Sequence, residues 1–176
     1  MRGIKRLSYA QLAQLVGHRE GVSVEAIHAA LKDSERGQVL FPEALVQVGA
    51  ASEWELMRLV AVEFGLPVIP AGQHDLDREL VRSFPVDLIS SSLVVPLDRF
   101  QRVLTVVMPI LAPHEVLEAF GVRSGCEVFA AVGSVQDNRR VLEPILRASR
   151  RGEENTWERL FDEANAQVMR ETRPQK

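Results

Sequence analysis

A helical pattern that occurs twice constrains the fold of this chain more than any other feature. The pattern is a serine that can cap a helix, followed by three apolar residues at the spacing of one helical face. The second copy lies 29 residues after the first: Ser23, Ile27, Ala30 and Leu31 correspond to Ser52, Leu56, Leu59 and Val60. Because a repeat solenoid needs about three copies, we predict a paired helical hairpin instead.

Cap and turn residues predict four helices before Pro67. Ser8 can cap a short first helix, and Pro42 suits the first turn of a third, because its missing N–H would have no partner there. Ser52 and Glu55 have the spacing of a capping box at the start of the fourth helix. Glycines follow the third and fourth helices, where a left-handed residue often ends a helix.

After Pro67 the sequence becomes rich in β-branched residues. A short helix capped by Asp77 comes first. The predicted elements then follow in one order: a β-hairpin over residues 90–109, a helix over 112–121, a strand over 126–132 and a last helix from Ser134. We expect Gly121 to end the helix before the last strand, and Pro144 to bend or shorten the last helix.

These elements predict an α+β fold. It consists of an N-terminal helical hairpin repeat, packed on a small mixed or antiparallel sheet with helices on one face, and a C-terminal amphipathic helix. The expected divisions are a helical subdomain over residues 1–66, a small α/β sandwich over 67–148, and a charged connector with the C-terminal helix over 149–176.

The predicted C-terminal helix has the clearest apolar stripe in the chain. Its members are spaced at i, i+3, i+4, i+7 and i+11: Trp157, Leu160, Phe161, Ala164 and Val168. Such a stripe can bind a groove on a partner protein. It can also pack on its own domain, which would keep the two aromatic side chains out of water.

Composition argues against several classes of function. A formal net charge of −3 gives no electrostatic reason to expect nucleic acid as a partner. The sequence has no apolar run of about 18 residues, so we expect no membrane span. The single cysteine, Cys126, excludes an internal disulfide and fits a reducing compartment. Because the N-terminus also lacks a signal-peptide pattern, we expect a cytoplasmic protein.

Few residues indicate chemistry. The sequence contains neither a GxxxxGK[ST] phosphate loop nor a GxGxxG fingerprint, and its four histidines are scattered. His74, Asp75 and Asp77 could contribute to a metal site, but a solvated turn with a helix cap is the preferred interpretation. We therefore expect no catalysis, no metal and no cofactor.

The segment "EALVQVGAASEWELMRLVAVEFGLPVIP" resembles the N-terminal domain of type II secretion and type IV pilus assembly ATPases, the general secretory pathway protein E N-terminal domain family. The resemblance extends over roughly residues 6 to 147. In that family the domain precedes a motor and binds the cytoplasmic part of an inner-membrane platform protein. The resemblance thus implies a stand-alone docking or regulatory domain without the motor, recruited to the inner membrane by such a platform protein or by a secretion or pilus ATPase.

The resemblance also implies an alternative, because a subset of these domains binds cyclic di-GMP through two tandem motifs. The positions that would carry this function are Arg6, Leu7, Leu45, Val46, Gly49 and Leu56. The second copy lacks the arginine-leucine-glycine opening of the motif, and Glu63 stands at its terminal glutamine position. A carboxylate there would repel phosphate, so a repeat that serves packing alone is preferred over a ligand site.

Overall fold

The computed structural model describes residues 7–37 and 39–149. Its elements follow in this order: α1 (Tyr9–Gly17), α2 (Val24–Glu35), α3 (Phe41–Gln47), α4 (Glu53–Phe64), a 3-10 turn (Ala71–Gln73), α5 (Arg78–Arg82), α6 (Val86–Ser92), β1 (Val95–Phe100), β2 (Val103–Pro109), α7 (His114–Ser124), β3 (Glu127–Gly133) and α8 over residues 135–149. The predicted C-terminal helix lies outside the described residues.

The first four helices begin where the serine caps and Pro42 predict. The hydroxyl of Ser8 accepts a hydrogen bond from the backbone N–H of Gln11 at 3.2 Å. Ser52 and Glu55 form the predicted capping box, with the Ser52 N–H donating to Glu55 at 2.8 Å. Gly65 ends α4 with a φ of 63°, which only glycine adopts at little cost. The paired-helix prediction is therefore confirmed in its local structure.

The strands form a three-stranded mixed sheet in the order β1-β2-β3 within the described ranges. β1 and β2 are antiparallel, and β2 and β3 are parallel. The segment after α4 extends the far edge of β3, because the N–H of Val132 donates to Pro67 at 2.8 Å and the N–H of Ile69 donates to Val132 at 2.9 Å. The α+β class and the mixed sheet are confirmed.

Helices lie against both faces of this sheet, whereas the sequence predicted helices on only one face. A Cβ on Gly121 of α7 would lie 3.3 Å from the side chain of Val128, which places α7 on one face. A Cβ on Gly133 would lie 3.0 Å from Asn138 of α8. Because side chains alternate along a strand, Gly133 and Val128 belong to opposite faces. The last helix therefore begins on the face that α7 does not cover.

The predicted end of α7 at Gly121 is wrong. The helix continues to Ser124, and Gly125 ends it with a φ of 65°. A Cβ on Gly121 would lie 3.2 Å from the carbonyl oxygen of Cys126. Gly121 therefore allows α7 to pack closely on the start of β3 and does not form a turn.

Two other boundaries also differ from the prediction. Ser90, Ser91 and Ser92 belong to α6 and not to the hairpin. The hydroxyl of Ser91 donates to the carbonyl of Asp87 at 2.6 Å, a bond that serines can make within a helix. In addition, α8 continues through Pro144 to residue 149, so the proline does not shorten the described helix. Pro144 is exposed, which lets water reach the carbonyl that loses its donor.

A continuous core joins the N-terminal helices to the sheet. Leu56 of α4, Leu104 of β2 and Phe120 of α7 are all fully buried in one cluster. Phe84 packs against Phe120 in a tilted arrangement with ring centroids 4.9 Å apart. The helical part and the sheet therefore share the burial that stabilises them.

Candidate docking and ligand sites

A cleft of about 450 Å³ opens between α1, the α2–α3 connection, α6 and α7. Its lining is mostly apolar and hydroxyl-bearing: Tyr9, Ser34, Gly37, Val39, Leu40, Glu43, Leu88, Ser90, Ser91, Ser92, Leu93, Ala112, Pro113, Val116 and Arg139. The cleft lies where the first helical repeat ends and the second begins.

The charged side chains in the described lining of this cleft neutralise each other. Arg139 of α8 binds Glu43 of α3 through two hydrogen bonds of 2.9 and 2.7 Å. The bond to Glu43 raises the pKa of Arg139. Paired in this way, the guanidinium offers little attraction to a phosphate group. At the other wall, burial raises the pKa of Tyr9 to about 12, so its phenol is neutral at physiological pH.

The structure does not bring the sequence-predicted ligand positions into this cleft. Three of them are fully buried in the core: Leu7, Leu45 and Leu56. Val46 is half-buried on α3, and Gly49 is exposed in the turn after it, with a φ of 73°. Arg6 lies outside the described residues. The described positions serve packing and turn geometry.

The outer face of α4 carries an exposed tryptophan. Trp54 is 65% exposed and Val62 is 78% exposed, and both lie on the face that also bears Arg58, at a spacing of four residues. A shallow hollow of about 300 Å³ beside them is lined by Arg19, Trp54, Glu55, Arg58 and Leu59. We call Trp54, Arg58 and Val62 the α4 face. Tryptophan and arginine are frequent at the centres of protein interfaces.

The hollow contains an ion pair between the turn that follows α1 and the first turn of α4. Arg19 donates to Glu55 at 2.6 Å. Hydrogen bonds from the backbone and the hydroxyl of Ser52, followed by that from Arg19, lower the pKa of Glu55 to about 2. Glu55 therefore stays ionised in all but strongly acidic solution.

A second exposed apolar group lies at one end of the sheet. Phe100 is 71% exposed, Phe129 is 44% exposed and Val103 is 38% exposed. Phe100 lies directly opposite Val103, and Phe129 lies opposite Thr105, two residues further along β2. We call these three residues the sheet patch. Three large apolar side chains on one face form the kind of surface that normally contacts another protein segment.

Sequence reasoning missed both surfaces, although each leaves a signal. Trp54 is a large aromatic residue that lies off the predicted apolar face of its helix. Phe129 alternates with the buried Val128 and Ala130, so its side chain had to lie on the opposite face. The residues of the sequence-predicted partner surface lie outside the described part of the chain: Trp157, Leu160, Phe161, Ala164 and Val168.

The metal interpretation of residues 74–77 gains no support. The carboxylate of Asp77 accepts hydrogen bonds from the N–H groups of Glu79 and Leu80 at 2.9 and 3.1 Å, which makes it the cap of α5. In residues 7–37 and 39–149, no three metal-ligating side chains form a cluster. Of the helices in these ranges, none combines the length and the apolar character needed to cross a membrane.

Comparison with known proteins agrees with the resemblance in the sequence. The MshEN domain family matches residues 64–150. The type IV pilus assembly ATPase PilB of Myxococcus xanthus (strain DK1622) is 26% identical over 98 residues, which are 56% of this chain and 17% of PilB. The chain therefore spans only a small part of this relative's length.

Solved structures show the same fold. A structure of MshE with cdg has a TM-score of 0.55 and 18% identity, covering 76% of this chain and 97% of that one. A structure of the N-terminal domain of XpsE has a TM-score of 0.57 and 14% identity, covering 78% of this chain and 95% of that one. The fold similarity thus extends well beyond residues 64–150 into the N-terminal helices.

Proposed function

Because the chain contains an MshEN domain related to the N-terminal domains of type II secretion and type IV pilus assembly ATPases, we propose that it is a non-catalytic docking or adaptor domain of such a machine. Its partner in this proposal is the cytoplasmic part of an inner-membrane platform protein, with a secretion or pilus ATPase as the other protein of the assembly. The domain acts in the cytoplasm and is recruited to the inner membrane by this contact.

The observation that carries the proposal is the exposed Trp54 on the α4 face. Its side chain is 65% exposed, while Leu56 and Val60 of the same helix are fully buried. The helix is therefore already anchored by its other side, so Trp54 is not needed for the core. A rigid aromatic residue beside an arginine supplies large contact area at low cost in side-chain entropy.

Binding to the purified cytoplasmic part of the platform protein tests this function. We expect Trp54→Ala to weaken binding at least about tenfold, since truncating an interface anchor often costs 2 kcal/mol or more. Val122→Ala is the matched control, because Val122 is 79% exposed and lies on a different helix, α7. Equal binding by wild type and Trp54→Ala would contradict the α4 face as the contact, and no binding by wild type would contradict the proposed partner.

A second candidate function is the binding of cyclic di-GMP in the cleft between the repeats. The fold similarity to MshE, whose structure was solved with cdg, and the position of the cleft favour it. The paired Arg139 and Glu43 disfavour it, because a phosphate would have to displace the carboxylate.

Calorimetry with cyclic di-GMP separates the two candidates. If the cleft is a nucleotide site, wild type should release or absorb heat on binding and melt at a higher temperature with ligand present. Glu43→Gln should then strengthen binding, because it releases Arg139 from its charged partner, and Arg139→Gln should weaken it. Absence of heat together with an unshifted melting curve, in both wild type and Glu43→Gln, would contradict this candidate.

A further inference from the structure

We propose that the hollow beside Trp54 binds a carboxylate side chain of the partner protein, carried by a helix with apolar residues on either side of it. This inference rests on the proposed function, because it takes the α4 face as the contact with the platform protein. It adds the chemistry that the partner must present to this face.

The side chains that line the hollow offer hydrogen-bond donors and almost no free acceptor. Arg19, Trp54 and Arg58 can only donate. The carboxylate of Glu55 accepts at Oε2 from the N–H and the hydroxyl of Ser52, at 2.8 and 2.7 Å, and at Oε1 from Arg19 at 2.6 Å. Because a carboxylate has about four acceptor positions, these three bonds leave little capacity. A group that enters the hollow must therefore be an acceptor.

The hollow also carries an excess of positive charge. Two guanidinium groups, those of Arg19 and Arg58, line it together with the single carboxylate of Glu55. Glu55 is already paired with Arg19. Within residues 7–37 and 39–149, Arg58 forms no ion pair. Since a guanidinium binds a carboxylate through two parallel hydrogen bonds, charge and hydrogen bonding favour the same acidic occupant.

The size of the hollow fits one side chain better than a whole small molecule. Its volume of about 300 Å³ is at the lower limit of pockets that enclose a drug-sized ligand, about 300 Å³. The hollow is shallow, and the Trp54 side chain at its border is 65% exposed. A larger partner that covers this border would exclude water from the carboxylate and strengthen its contact with Arg58.

The α4 face places its cation between two apolar side chains. Trp54 lies one helical turn before Arg58, and Val62 lies one turn after it. Both apolar side chains are well exposed, at 65% and 78%. A partner helix lying along α4 would therefore carry an acidic residue with a large apolar residue one turn away on each side.

Binding of the full-length chain to the purified cytoplasmic part of the platform protein tests this chemistry. We expect Arg58→Gln to weaken binding about five- to tenfold at low salt. The difference should shrink when NaCl is raised from about 0.05 to 0.5 M, because salt screens the charge that the variant lacks. Arg58→Lys should retain more affinity than Arg58→Gln, since it keeps the charge but loses the planar fork. Arg123→Gln, at an exposed position on α7, is the control and should change the affinity by less than about twofold.

An exchange of charges identifies the partner's carboxylate. Arg58→Glu should weaken binding more than Arg58→Gln, because it places two carboxylates against each other. Substituting the partner's acidic residues by arginine, one at a time, should then restore binding to Arg58→Glu at one position and weaken binding to wild type at the same position. Failure of every such substitution to restore binding would overturn the proposed carboxylate contact.

The outcomes separate this inference from the function on which it rests. If wild type binds and Trp54→Ala binds weakly, but Arg58→Gln and Arg58→Glu bind like wild type, the proposed function stands and the carboxylate contact is overturned. If wild type does not bind the platform protein, both are overturned. Competition by succinate beyond that of NaCl at equal ionic strength would overturn the inference in favour of a site for small anions. Self-association that Arg58→Gln abolishes would overturn it in favour of a second copy of the chain.

Discussion

Glu53, in the first turn of α4, caps a helix that is not its own. Its carboxylate accepts hydrogen bonds from the backbone N–H groups of Val135 and Gln136, at 2.6 and 3.3 Å, at the start of α8. The N–H groups of a first helical turn have no partner within the helix, and their dipoles favour a negative charge. A residue of the helical part thus completes a helix of the sheet part.

Removing this cap should destabilise the whole protein. We expect Glu53→Ala to lower the free energy of unfolding by about 1 to 2 kcal/mol, and Glu53→Gln by less, because the amide oxygen still accepts a hydrogen bond but carries no charge. Chemical denaturation measures both. Glu118→Ala, at an exposed site on α7, is the control and should change stability by no more than about 0.5 kcal/mol. If Glu53→Ala and Glu118→Ala lowered the free energy of unfolding equally, the bonds of Glu53 to α8 would contribute nothing to stability.

The ion pair between Arg139 and Glu43 should contribute a measurable coupling. Its two parallel hydrogen bonds join α8 to α3, and the Glu43 side chain is only 18% exposed. A double-mutant cycle with Glu43→Gln and Arg139→Gln should therefore give a coupling of about 1 kcal/mol, at the upper end for pairs near a surface. The corresponding cycle on the exposed pair Arg82 and Glu79 should give less. Identical coupling free energies in the two cycles would contradict the expectation that partial burial strengthens the Arg139–Glu43 pair.

Glu55 should make stability depend on pH in acid. Its pKa in the folded protein is about 2, against an ordinary value of 4.5. Because the folded-state pKa is depressed, the contribution is fully present above pH 4.5 and is lost as the pH falls toward 2. Wild type should therefore melt at a higher temperature than Glu55→Gln at pH 6, and the difference should shrink as the pH falls to 2. A difference in melting temperature that stays the same down to pH 2 would contradict this role of Glu55.

Asn138 should be among the positions least tolerant of substitution. It is fully buried, and its side-chain amide donates to the carbonyls of Leu93 and Val107 at 2.9 Å each. Asn138→Leu has a similar volume but removes both donors, so we expect a loss of about 2 to 3 kcal/mol. Gln136→Leu, exposed in the same helix, is the control. A loss below about 0.5 kcal/mol at Asn138 would show that other donors replace the amide.

Local signals in the sequence predicted the helix starts well. Ser8, Ser23 and Ser52 each cap the helix they were assigned to, because a cap needs only one side chain and a nearby N–H group. Glycine was less informative. Gly65 ends a helix and Gly121 does not, since the first has a positive φ and the second has a close neighbour from β3. Sequence alone does not distinguish these two causes.

The contacts between distant residues could not be predicted. Glu53 and Val135 are 82 positions apart, and Glu43 and Arg139 are 96 apart. Nothing in the periodicity of either segment indicates its partner, because periodicity shows which face is buried but not what covers it. The ligand positions that the resemblance implied at Leu7, Leu45 and Leu56 lie in the core of the structure.

The contact between Glu53 and α8 also limits how far the protein can be truncated from its N-terminus. The MshEN family matches residues 64–150, but the carboxylates of Glu43 and Glu53 that bind α8 lie before that boundary. A fragment trimmed to the matched region would remove the Glu53 carboxylate from the N–H groups of Val135 and Gln136, and it would separate Leu104 and Phe120 from the α4 residues of their core cluster. A fragment that keeps both contacts must therefore start no later than α3, upstream of the point at which similarity in sequence becomes visible.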